Sequence, residues 1–182
     1  MNTEKRLEIE VKIKAQLLDP LRQKIKLLPA ALEAERVFER NIVFDTAQEK
    51  LHKRGILLRL RQQGAQAVLT MKMPVQGDSV YKVREETEVP VSDFANMEKI
   101  ILAIGFRVFF IYEKYREVFN AHGARIMIDE TPIGNFFEIE GNPDRIDAIA
   151  ARLGFTRADY ILDSYYQLFL RSGRSGHMVF SE

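Results

Sequence analysis

Acidic and basic side chains at every second position are the chemistry this sequence offers most persistently. In Leu7-Glu8-Ile9-Glu10-Val11-Lys12-Ile13-Lys14, a strand would carry Leu7, Ile9, Val11 and Ile13 on one face and Glu8, Glu10, Lys12 and Lys14 on the other. The pattern returns in Arg59 with Arg61, Thr70 with Lys72, the run Lys82, Arg84, Glu86 and Glu88, Lys114 with Arg116, Arg125 with Asp129, and Glu138 with Glu140. Any one of these could be a solvated sheet face whose Glu and Lys pair across strands, and for Glu86 and Glu88 alone such pairing competes evenly with ligation. Gathered together they point elsewhere. Guanidinium forks and ammonium charges match phosphate oxygens, and carboxylates with no cysteine or histidine pair beside them match a hard cation such as Mg²⁺ or Mn²⁺. Both sets in one cavity would hold a metal-phosphate substrate.

Turns and caps delimit the elements that must carry these residues. Asp19 as N-cap with Pro20 behind it opens a helix bearing Leu21, Ile25 and Leu28. Strands are expected over 37–46, 56–62 and 68–73, with a turn at 52–55 and a hairpin at Gly64. The polar loop 76–79 leads into a strand over 81–89, and Ser92 or Asp93 caps a helix that stops at Gly105. Strand material over 106–120, 125–129 and 135–140 is separated by His122-Gly123 and Pro132-Ile133-Gly134. Asn142 and Pro143 open a helix ending at Gly154, and a last helix starts near Ser164. A weak internal repeat runs through this order: each Glu-x-Glu strand precedes a helix, and two of those helices end in Gly-Phe, at Gly105-Phe106 and Gly154-Phe155.

The chain has 182 residues, 46% of them apolar, enough to bury one sizeable core. One domain is expected over 1–171, with 172–182 as a loose Gly- and Ser-bearing tail. Lys and Arg number 27 against 26 Asp and Glu, so charged function must arise from sorting and not from excess. The absence of cysteine excludes disulfides, thiolate catalysis and cysteine-held metal. No apolar run approaches the roughly 20 residues of a membrane span, and the alternation before Lys14 is unlike a signal peptide, so a soluble, unprocessed, cytoplasmic chain is expected. His52, His122 and His177 are isolated, and neither a P-loop nor a Gly-x-Ser-x-Gly elbow is present. Tyr81, Phe109, Tyr112 and Tyr115 read as strand packing.

About eight amphipathic, mostly antiparallel strands suffice to close a barrel. Were the apolar faces inside, the apolar helix stripes would have only a charged exterior to pack on. With the charged faces inside, the helices cover an oily outer wall and both sets of stripes are buried. The expected fold is therefore α+β, an eight-stranded, mostly antiparallel closed barrel with a charged, solvated tunnel and external helices.

Glu8-x-Glu10-x-Lys12 resembles the signature of the CYTH superfamily, which takes its name from class IV adenylyl cyclases and thiamine triphosphatases and is also called the triphosphate tunnel metalloenzymes. The resemblance continues through Phe44-Asp45-Thr46, Leu58-Arg59-Leu60-Arg61, Thr70-x-Lys72, Arg84-x-Glu86-x-Glu88, Lys114-x-Arg116, Asp129, Gly134-x-Phe136-x-Glu138-Ile139-Glu140 and Ser164-Tyr165. It implies a tunnel in which Lys12, Arg59, Arg61, Lys72, Arg84, Lys114 and Arg116 grip phosphates. Glu8, Glu10, Glu138 and Glu140, helped by Asp129, would hold Mg²⁺ or Mn²⁺, with Glu10 and Lys12 central to catalysis; Glu86 and Glu88 would orient basic groups or bind a second ion. The implied partner is a triphosphate-bearing small molecule, not nucleic acid or membrane, with room for a homodimer. Two departures from the animal thiamine triphosphatases bear on substrate: Val43 stands where they have a catalytic tyrosine, and Arg157 is the nearest basic residue to their C-terminal lysine. Triphosphate hydrolysis on tripolyphosphate or nucleotides is the expected activity, ahead of ATP cyclisation to cAMP and of a non-catalytic polyphosphate- or nucleotide-binding module.

Overall fold

Period-two alternation decides which side of each strand faces inward, and the helices decide that the apolar side faces out. The computed structural model describes residues 6–77 and 79–181; Asp78 of the expected loop and residues 1–5 lie outside the described residues. In chain order the elements are β1 (Arg6–Ala15), α1 (Leu18–Lys26), β2 (Ala31–Asp45), β3 (Leu57–Gln63), β4 (Gln66–Pro74), β5 (Lys82–Val91), α2 (Phe94–Ala103), β6 (Arg107–Asn120), β7 (Ala124–Thr131), β8 (Gly134–Gly141), α3 (Pro143–Leu153) and α4 (Tyr165–Arg171). All strand pairs in the barrel are antiparallel, and it closes in the order β1-β5-β4-β3-β2-β6-β7-β8. The α+β barrel expected from the sequence is thus the fold.

The outward apolar sets meet the helices. Val11, Ile13, Ile126, Ile128, Phe137 and Ile139 pack under Leu21 and Ile25 of α1 and Ile146, Ile149 and Leu153 of α3. Ile42, Phe44 and Leu60 pack with Ile101 of α2. Fully burying each such side chain stabilises the fold by roughly 1.5–3 kcal/mol, which is what holds charged faces turned inward. A third cluster belongs to one end of the barrel, where Tyr165 and Phe169 of α4 meet Val43, Phe110, Tyr112 and Phe136.

Local signals account for most boundaries. Asp93, Asn142 and Ser164 each accept a backbone N–H as N-caps of α2, α3 and α4, and Gly105 and Gly154 follow α2 and α3 in the left-handed region, at φ 100° and 93°. α1 differs from expectation: it starts at Leu18 behind Leu17, and Asp19 lies in its first turn, bonded to Arg22. There its charge still favours the helix N-terminus. β2 begins six residues earlier than the expected 37, because register shifts between Leu32/Ala34 and Ala34/Val37 break the alternation by which a strand is read.

Two later segments occupy strand edges that the barrel leaves open. Ile161 exchanges backbone hydrogen bonds with Lys12, where β1 is no longer paired to β5. In the stretch set apart as a tail, Met178 is fully buried and pairs in parallel with Tyr112: its N–H donates to the Ile111 carbonyl at 2.9 Å and its carbonyl accepts from Glu113 at 2.8 Å. β7 pairs with β6 only from Tyr115 onward, so Met178 satisfies backbone groups that would otherwise be bare.

Candidate active site

The strand order explains why the charges meet. β5, β1 and β8, the three Glu-x-Glu strands of the internal repeat, are neighbours in the barrel. Their register sets Glu8 beside Arg84, Glu10 between Lys82 and Glu140, and Lys12 beside Glu138. β4, β3, β2 and β6 close the circle, with Lys72 beside Glu86, Arg59 beside Thr70, and Lys114 beside Glu39. The result is a cavity of about 330 Å³ lined by nine basic and eight acidic side chains.

Thirteen of the fourteen site residues expected from the sequence line that cavity: Glu8, Glu10, Lys12, Arg59, Arg61, Lys72, Arg84, Glu86, Glu88, Lys114, Arg116, Glu138 and Glu140. Asp129 does not. It is fully buried behind the wall, where it accepts hydrogen bonds from Lys114 at 3.0 Å, from Arg116 at 2.7 and 2.6 Å, and from the Tyr165 hydroxyl at 2.5 Å. Arg116 also bonds Glu138, and Lys12 lies 3.0 Å from the same carboxylate. Tyr165 completes this corner from α4, with the Lys12 and Lys114 ammonium groups 4.4 and 5.2 Å from its ring centroid. Elsewhere Lys72 donates to both Glu8 oxygens at 2.5 and 2.6 Å and lies 3.2 Å from Glu86, while Lys82 donates to Glu10 at 2.8 Å. Arg59 donates to Tyr112 and Thr70, and Thr70 passes a bond of 2.8 Å to Glu88.

Sequence reasoning missed Glu39, read Tyr112 as strand packing, and gave Tyr165 and Lys82 no role. Glu39, Asn41, Val43 and Asp45 alternate on one face of β2, a signal that was available. Asp45 caps the following loop, accepting from the backbone N–H groups of Thr46, Leu51 and His52. Arg157, the nearest basic match to a C-terminal lysine, bonds Asp147 and Tyr81 outside the cavity lining.

Burial and neighbouring charge pull the acids apart. Burial alone would raise Glu10, but Lys82, with Lys72 and Lys12, outweighs it and the push from Glu138, and holds the carboxyl at about 2. For Glu39 burial is likewise outweighed, by Lys114, Arg116, Arg61 and Arg59, giving about 2. Glu138 lies well below the usual range: burial opposes this, and Lys12 and Arg116 prevail. Glu8 goes the other way, raised by burial and by Glu10 against the pull of Lys72. Lys82 is lowered by burial and by Lys12 and Arg84, with Glu10 opposing. A carboxyl whose folded pKa is depressed stabilises the fold above its unfolded pKa, near 4.5, and loses that contribution as pH falls through the folded value. Glu8 has the opposite sign, costing stability while ionised. With Glu88 and Asp45 also lowered, the depressed acids of the cavity outnumber the raised Glu8 and predict a thermal midpoint that drops between pH 4.5 and about 2. The drop should be shallower in Glu10→Gln, measured by circular dichroism melts across that range.

The donors fit a hard divalent ion in kind. They are all carboxylate oxygens, and they lie close enough that Glu10 raises Glu8 and Glu138 pushes upward on Glu10. Among the described residues, no three histidine or carboxylate groups are drawn together tightly enough to ligate an ion, and Lys72, Lys82 and Lys12 contact the Glu8, Glu10 and Glu138 oxygens. An ion would take the place of those ammonium contacts and free lysines toward phosphate.

Comparison with known proteins agrees with this geometry. A relative from Methanocaldococcus jannaschii that bears an adenylate cyclase name is 27% identical over 135 residues, covering 74% of this chain and 76% of its own. Among solved structures, a Vibrio parahaemolyticus protein titled as an adenylate cyclase superposes with TM-score 0.82 at 19% identity, over 92% of this chain and 99% of that one. The Hippeastrum protein HpAC1, titled as an adenylyl cyclase with a dominant triphosphatase activity, superposes with TM-score 0.66 at 18% identity, over 93% and 96%. The CYTH domain family matches residues 6–160, which span all eight barrel strands with α1, α2 and α3, and the chain belongs to the CYTH domain family.

Proposed function

We propose that this protein is a divalent-metal-dependent phosphohydrolase that cleaves triphosphate-bearing substrates, inorganic tripolyphosphate or nucleoside triphosphates, inside the barrel. The observation that carries the reading is that one cavity gathers both kinds of charge: carboxylates on the adjoining β5, β1 and β8, interleaved with Lys12, Lys82 and Arg84, and Arg59, Arg61, Lys72, Lys114 and Arg116 on β3, β4 and β6. Arg59, Arg61, Lys114 and Arg116 hold one end of the polyphosphate by charge-assisted bonds, and Lys12, Lys72 and Arg84 hold the rest. Glu8, Glu10, Glu138 and Glu140 would hold Mg²⁺ or Mn²⁺, which when bound neutralises charge on the phosphate oxygens. Glu86 supports Lys72, and Glu88 supports Arg59 and Arg61. With water as nucleophile, transfer is in-line at the terminal phosphorus. The fixed cations stabilise charge that develops on the equatorial and leaving oxygens.

The Hippeastrum protein, with its dominant triphosphatase activity, favours hydrolysis over cyclisation for this chain. The cyclase reading draws on the name of the Methanocaldococcus relative and on the aromatic residues Phe109, Phe110 and Tyr166 in the cavity lining, where a base could stack. Product identification separates them. Purified protein is incubated with tripolyphosphate, ATP or thiamine triphosphate, each with Mg²⁺ or Mn²⁺. Phosphate with pyrophosphate from tripolyphosphate is the expected result, and cAMP with pyrophosphate from ATP would reverse the reading. Arg59→Ala should raise KM for tripolyphosphate about tenfold or more, since a buried charge-assisted contact contributes about 1.5–3 kcal/mol. An unchanged KM would remove Arg59 from the phosphate grip.

A further inference from the structure

Glu39 is out of keeping with the rest of the tunnel. It lies on β2 opposite the Glu-x-Glu strands, is 1% exposed, and lines the cavity. Its neighbours are the basic groups proposed to take phosphate: Lys114 at 3.6 Å, with Arg116, Arg61 and Arg59 around it. A carboxylate among phosphate-binding cations weakens anion capture, so plain binding would be served better by a neutral residue there. Nor is it engaged as the other acids are. Neither of its buried oxygens accepts a hydrogen bond, whereas Glu8 and Glu10 each accept one from a lysine, Glu138 one from Arg116, and Glu88 one from Thr70. A buried ionised oxygen left so costs several kcal/mol unless water or a bound molecule donates to it.

We infer that Glu39 orients the attacking water for phosphoryl transfer, accepting a hydrogen bond from one of its O–H groups while the surrounding cations hold the terminal phosphate. The inference rests on the hydrolase reading proposed above. In the step, the water oxygen bonds to the terminal phosphorus as the bridging P–O bond breaks, and that electron pair stays on the leaving phosphate oxygen, neutralised by the basic side chains. The water proton moves to Glu39 as the new bond forms and is then lost to the released phosphate. A loose transition state asks for a positioned nucleophile more than for a strong base, so an acidic carboxylate suffices. The side-chain length of Glu39 and its four cationic neighbours fix it from one direction, while the carboxylates on β5, β1 and β8 stand across the tunnel.

Steady-state hydrolysis of tripolyphosphate by the full chain tests this with Glu39→Gln and Glu39→Ala. Glu39→Ala should lower kcat about 100-fold or more, with KM unchanged or smaller because an anion has left the phosphate grip. Glu39→Gln, which keeps an acceptor oxygen and side-chain shape, should fall in between and remain folded if the alanine variant does not. An unchanged kcat with only a smaller KM would overturn the inference and leave Glu39 as a counter-charge. A larger KM with unchanged kcat would overturn it in favour of support for Arg59 and Lys114. If the wild-type protein releases no phosphate, the hydrolase reading fails and the water assignment falls with it. Unchanged kcat in variants of an active wild type removes the Glu39 assignment alone.

Discussion

Glu10→Gln should abolish most turnover while leaving the tunnel able to bind polyphosphate. Glu10 lies at the centre of the carboxylate wall, with Lys82 on one side and Glu140 on the other, and is held at about 2, so it carries a full negative charge at neutral pH. The amide is close to the same shape and still accepts from Lys82, so the fold should survive. What it loses is the charge that a hard cation requires. Loss of one element of transition-state charge stabilisation typically costs 10²–10³ in kcat, and a drop of roughly that size is expected for tripolyphosphate with Mg²⁺. Affinity should change in the opposite sense: with one anion gone and Lys82 facing a neutral acceptor, tripolyphosphate binding measured by calorimetry without metal should hold or tighten. Undiminished turnover would take Glu10 out of the metal set. Lost binding together with lost turnover would mean that Glu10 orders the basic residues instead.

The residues that could be read from the sequence were those on strands whose alternation is unbroken. β1, β5, β6 and β8 keep period two across their charged stretches, so Glu8, Glu10, Lys12, Arg84, Lys114, Arg116 and Glu138 could be assigned to one face before any pairing was known. β2 is the contrast. Register shifts between Leu32/Ala34 and Ala34/Val37 blur its start, and Arg40 interrupts the outward set of Phe38, Ile42 and Phe44, so the polar face of Glu39, Asn41 and Asp45 stands out less although its alternation is intact. Tyr165, though part of the family resemblance, was given no role for another reason: it arrives on a helix after the barrel is complete, and nothing in strand parity points to a residue that closes a barrel end. The depth of Asp129 was equally invisible. Parity puts it on the inner face with Arg125, but only the pairing of β6 with β7 sets it directly beside Arg116, behind the lining.

That position leads to a large loss of stability in Asp129→Ala. The carboxylate is fully buried and is the common acceptor for Lys114, Arg116 and Tyr165. Removing one side of a buried ion pair leaves the other uncompensated and typically costs 3–5 kcal/mol. Arg116 retains Glu138, but the nearest acid left to Lys114 is Glu39 at 3.6 Å. For a chain of this length each kcal/mol moves the thermal midpoint by about 2–4 °C, so a fall of roughly 6–20 °C is expected in metal-free protein. Asp129→Asn separates the roles open to this residue. The amide keeps the shape and can still accept from Arg116 and Tyr165, so a stability loss well below that of alanine is expected, with weaker phosphate affinity as Lys114 and Arg116 lose their anchor. If Asp129 instead assists the metal, Asp129→Asn should leave the metal-free midpoint and phosphate affinity alone and raise the Mg²⁺ or Mn²⁺ concentration needed for half-maximal activity. Calorimetric melts with and without metal, paired with a metal titration of turnover, tell the two apart. The three buried donors on one carboxylate favour the first.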